Sequence, residues 1–97
     1  MKEEIVLTPI NALDYVKSNV KEGDVLELSY NRIFAPGDVL DVKTEEDFGE
    51  EVIIVSLQLN GEIVNDVVRV NLNNIIDDLI EICHITDEKE TLIVIEE

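Results

Sequence analysis

One cysteine, one histidine, no tryptophan and only seven basic residues in 97 place several kinds of protein out of reach. A single thiol cannot close an internal disulfide, so the chain reads as one suited to the reducing cytoplasm. Zinc sites draw on several Cys and His side chains together, and this sequence does not hold them. Calcium takes carboxylates, which are plentiful, but no D-x-D-x-D-G loop spaces them for it. The four glycines stand singly at positions 23, 37, 49 and 61, so no glycine-rich loop is present to cradle a phosphate. Seven Lys and Arg against 23 Asp and Glu give a formal charge of −16. Binding to nucleic-acid phosphate, or to an anionic membrane surface, rests on Lys and Arg, and both are therefore excluded. No cationic segment leading into an apolar run opens the sequence, and no apolar stretch approaches the ~18 residues of a membrane span. No cofactor or metal is expected.

What is present is aliphatic. Apolar residues make up 45% of the chain, Ile and Val foremost, which is enough for a core and favours strands. The length fits one domain over residues 1–97. Residues 4–8 read as a strand. Thr8-Pro9 then opens a helix over 9–20, with Ile10, Leu13, Val16 and Val20 near helical spacing. Gly23-Asp24-Val25-Leu26-Glu27 is echoed by Gly37-Asp38-Val39-Leu40-Asp41, which suggests two strands entered by similar turns, with Pro36-Gly37 as turn chemistry between them. In the second strand Leu40 and Val42 would share a face. Residues 51–59 alternate as a strand, Asn60-Gly61 signals a hairpin, and 62–70 is the return strand. A strict two-residue turn would set Asp66 opposite Val55 on the apolar side, so a bulge or another register is required.

Leu72, Ile75, Ile76, Leu79, Ile80 and Cys83 fit an amphipathic helix over 72–84, capped by Asn71. Residues 91–96 close with a strand. The order β-α-β-β-β-β-α-β is α+β: a small antiparallel-rich sheet with two helices. The alternative is an SH3-like small barrel with flanking helices, in which 71–76 is only a short turn.

Chemistry-bearing residues are few. Cys83 and His84 are neighbours; on a helix their side chains diverge by about 100° and cannot act as nucleophile and base. The thiol reads as a core residue and the imidazole as a partner of the helix C-terminus. Paired carboxylates for acid–base work need a concave pocket that so short a chain is poorly equipped to build. The expectation is a protein that is not an enzyme.

The acids remain. KTEEDFGEE, residues 43–51, reads as a loop that gathers Glu45, Glu46, Asp47, Glu50 and Glu51 around Phe48, which is either an apolar anchor with a charged rim or a lid tucked back onto the sheet. Asp77, Asp78 and Glu81 would line the outer face of the second helix. So much uncompensated charge opposes folding by self-repulsion, and it would steer the protein to a cationic partner. A halophilic surface would also account for the acids, but not for the heavy use of Ile. The expected function is an acidic protein-interaction domain: a stoichiometric inhibitor that occupies the basic nucleic-acid-binding surface of a nuclease or similar enzyme. Phage anti-defence proteins and immunity proteins of nuclease toxins are similar in size and charge, though no motif links the chain to them. The Ile-, Asn- and Glu-rich composition would suit an AT-rich bacterial or phage genome. A non-inhibitory adaptor or homo-oligomeric assembly module is the alternative.

Overall fold

The computed structural model describes residues 1–59 and 66–96. Among them the order is β1 (Lys2–Leu7), α1 (Pro9–Asn19), β2 (Val25–Tyr30), β3 (Ile33–Asp47), β4 (Glu50–Leu59), β5 (Val67–Asn71), α2 (Leu72–Ile75), β6 (Leu79–Ile85) and β7 (Glu90–Ile95). The fold is α+β. The seven strands form one open mixed sheet, in the order β1-β7-β6-β2-β3-β4-β5. Only β1 and β7 run parallel; every other pair is antiparallel. Among the described residues β1 and β5 are the free edges, so the middle strands do not close into the SH3-like barrel.

The first helix begins where local chemistry dictates. The Thr8 hydroxyl accepts a 3.3 Å hydrogen bond from the Asn11 amide, and Pro9 occupies the first turn, where its missing N–H costs nothing. Ala12, Val16 and Val20, four residues apart, are buried against the sheet, while Ile10 points to solvent. Inward residues of the strands complete the core: Leu26 and Leu28 from β2, Val55 and Leu57 from β4, Ile82 from β6 and Ile93 from β7 are all fully buried. Full burial of one such side chain contributes about 1.5–3 kcal/mol, which a seven-stranded sheet needs to offset the entropy of ordering its chain.

Three local expectations are corrected. The helix over 72–84 ends after one turn: α2 is Leu72–Ile75, and 79–85 is strand β6. The cause is a bulge. Ser29 opposes Glu81 but Tyr30 opposes Leu79, so Ile80 is an extra residue pushed outward. It puts buried Leu79 three residues before buried Ile82, a spacing that mimics a helix. A second bulge at Leu40, where Val39 opposes Leu57 and Asp41 opposes Ser56, buries Val39 and turns Leu40 outward. Finally, Pro36-Gly37 is not a turn but lies inside β3. The chain reverses at Asn31-Arg32, with φ of +42° and +65°, a two-residue type I′ connection.

Gly37 serves packing. A Cβ there would stand 2.7 Å from the Gln58 carbonyl oxygen, so any side chain must push β3 and β4 apart. Gly37→Ala is expected to destabilise the fold by about 1–3 kcal/mol in urea unfolding; an unchanged midpoint would show that the strands yield freely. The Asn60-Gly61 turn lies outside the described residues. Val70 opposes Val55 and the Leu59 amide bonds the Asp66 carbonyl at 2.7 Å, so the register is not the one a two-residue turn would set.

Candidate functional site

The acidic stretch is the end of a long hairpin, not a loop. β3 and β4 pair continuously through Lys43–Ile54, Thr44–Ile53, Glu45–Val52, Glu46–Glu51 and Asp47–Glu50. Phe48 and Gly49 close it with φ of +51° and +81°, again a type I′ turn. Because facing residues on paired strands share a side, Glu46 and Glu51 lie together on the α1 face. Asp47 and Glu50 lie together on the opposite face.

Two of these acids have bases. Glu51 meets Lys17 of α1 at 2.6 Å, and this hydrogen bond holds Lys17 above the usual lysine range. Glu45 meets Arg69 of β5 at 3.0 Å. Glu46, Asp47 and Glu50 have no basic partner among the described residues. Both final rungs set like charge against like, which is destabilising, and Lys17 relieves only the Glu46–Glu51 rung. Between them Phe48 is entirely exposed and touches no core. It does not fold back as a lid. It also holds a left-handed backbone that costs an ordinary residue about 1–2 kcal/mol and that Asn or Gly would adopt with less strain.

Asp77, Asp78 and Glu81 do not share one helix face. Asp77 and Asp78 are exposed in the turn after α2. Glu81 is half-buried on β6, opposite Ser29 and Val94. With α2 only one turn long, the expected outer helix face does not exist, and β2 and β3 separate β6 from β4.

His84 does not partner a helix C-terminus, because residues 79–85 form strand β6. It faces inward from β6 and is 3% exposed. Its Nδ1 lies 2.8 Å from the Tyr15 hydroxyl of α1 and its Nε2 lies 2.7 Å from Asp24 Oδ2. The same Asp24 oxygen accepts from the Lys21 amide at 3.0 Å. Both ring nitrogens are thus engaged and the ring is closed to solvent. The cluster clamps α1 and the turn after it to the sheet. Residues 60 and 69 positions apart build it, so no local pattern announces it.

Cys83 faces the other way, half-exposed, with Sγ 3.7 Å from Glu90 Oε1. Burial, then the Glu27 and Glu90 carboxylates, push its thiol up to about 11. The thiolate is therefore scarce near neutrality, and alkylation by iodoacetamide at pH 8 is expected to run tens of times slower, to order of magnitude, than in urea. Equal rates in both conditions would contradict this environment. Among the described residues no three His, Cys, Asp or Glu side chains converge as a metal site. No helix there is long and apolar enough to cross a membrane.

The structure thus defines a small acidic α+β domain with a charged, Phe-tipped hairpin. The chain belongs to the DUF2097 family, described as "Uncharacterized protein conserved in archaea", whose model matches residues 3–94. The bacterial or phage source suggested by composition gains no support from that description. Comparison with curated proteins and with solved structures finds no match.

Proposed function

We propose that this protein is an intracellular, non-catalytic interaction domain whose β3–β4 hairpin tip enters a basic surface, and that this surface is the nucleic-acid-binding face of a target enzyme. One observation carries the reading: three unfavourable features coincide at the tip, and among the described residues only the Lys17–Glu51 pair offsets any of them. Two rungs pair carboxylates with carboxylates, and a phenylalanine sits strained and bare between them. Strain and exposure that the fold does not use are the mark of a surface kept for contact. A cleft lined by Arg and Lys would meet acids on both sides of the hairpin, where phosphates would otherwise lie, and Phe48 would anchor the centre.

The test is capture from an archaeal extract on the immobilised protein at low salt, with release by rising salt and then by added RNA or DNA. Release of a basic nucleic-acid enzyme, inhibited by the free protein, is the expected result. Capture that neither salt nor nucleic acid reverses would overturn the reading. The open edges of β1 and β5 favour a second reading, an adaptor or homo-oligomeric module joined by strand pairing. A defined oligomer in light scattering that captures no basic protein would favour it.

A further inference from the structure

The sheet face turned away from α1 does not look like an ordinary solvated face. His84, Ile82, Thr91, Ile93, Leu26 and Leu28 point inward and are buried, so their sequence neighbours point out. On that outer side Val6 pairs with Val94, Leu92 with Cys83, and Ile85 with Val25. Each pair sits one strand over and two residues along from the last. Together they draw an apolar stripe running diagonally from β1 across β7 and β6 to β2. At strand spacing and rise it is about 20 Å long.

Carboxylates border the stripe on both sides. Glu4 and Glu90 flank it towards one end of the strands, and Glu27 and Glu81 towards the other. Midway lies a concavity of about 490 Å³, with Leu92 and Cys83 among its lining residues beside Glu4 and Glu90. Lys2 lies 3.4 Å from Glu90, but its side chain is 87% exposed and readily displaced.

We propose that this face docks an amphipathic helix of a partner protein, with one aliphatic seam flanked by Lys or Arg on each side. The pattern is complementary in both respects: the seam covers the stripe, and the flanking bases reach the two acidic borders while their stems lie on apolar surface. A stripe of about 20 Å takes about 13 helical residues. A second copy of this chain is the wrong occupant, because it would press four carboxylates against four others between two molecules of charge −16. The surface is distinct from the hairpin tip, and the inference does not depend on what the tip binds.

The probe is a synthetic peptide of about 14 residues, leucine along one helical seam and lysine on either side, with a control of the same composition scrambled to spread leucine around the helix. Binding is followed by methyl NMR of the labelled protein. The seamed peptide is expected to saturate and to shift Val25, Ile85, Leu92 and Val94. Glu27→Lys with Glu81→Lys should weaken it by tenfold or more, to order of magnitude, at low salt. Glu27→Gln with Glu81→Gln, which removes charge and keeps shape, should give a smaller loss in the same direction. Glu46→Lys with Asp47→Lys at the hairpin should change it little. Equal binding of the scrambled peptide, shifts confined to the hairpin tip, or no saturable binding would each overturn the proposal, and none of these would count against capture through the hairpin.

Discussion

Replacing His84 with Ala is expected to remove about 2–4 kcal/mol of stability, a large part of what a domain of this size has. The imidazole is buried, and its two partners are left facing a void when it goes. The Asp24 carboxylate, 18% exposed, loses its 2.7 Å donor, and the Tyr15 hydroxyl loses its 2.8 Å partner. Tyr15→Phe removes one hydrogen bond without opening a cavity and should cost only about 1 kcal/mol. The two changes remove the same Tyr15–His84 hydrogen bond, so together they should cost less than their sum. Urea unfolding of the single and double variants reads this directly. A His84→Ala loss below about 0.5 kcal/mol would mean that the clamp does not hold α1 to the sheet.

The second large effect concerns association. Glu46→Lys with Asp47→Lys changes the tip by four charge units and should slow binding to the captured basic partner by about ten- to a hundredfold at low salt, converging with wild type as salt rises. Long-range attraction sets the encounter rate, so the loss should fall on the on-rate. Phe48→Ala should act differently. It leaves the charge intact, and an anchor is lost through faster dissociation. A double variant that associates at the wild-type rate would remove the tip from the contact.

The parts of this fold that were legible in the sequence are those with local causes. Thr8-Pro9 opens α1 because capping and proline geometry are local. Residues 51–59 are a strand because β-branched alternation is local. β6 was hidden because Ile80 breaks the period of two and leaves Leu79 and Ile82 at helical spacing. Phe48-Gly49 was not legible as a hairpin turn because Phe rarely accepts a left-handed backbone and five acids are poor strand formers. The acids of 45–51 were singled out by charge, but their pairing as like-charge rungs depends on register, which only the structure supplies. The Tyr15–His84–Asp24 cluster and the diagonal stripe both depend on strand order, to which no window of sequence has access.

The central claim is that the hairpin tip is shaped for contact at the expense of the fold. Thermal unfolding of Glu46→Lys with Asp47→Lys beside the wild type, at low salt, tests it most directly. Both new lysines would face carboxylates, Glu51 and Glu50, in place of like-charge rungs. The account predicts a rise of several degrees in Tm, on the order of 1 kcal/mol, that shrinks as salt is added, together with slower association. A fall in Tm would mean that these carboxylates serve the fold, and the claim would not stand.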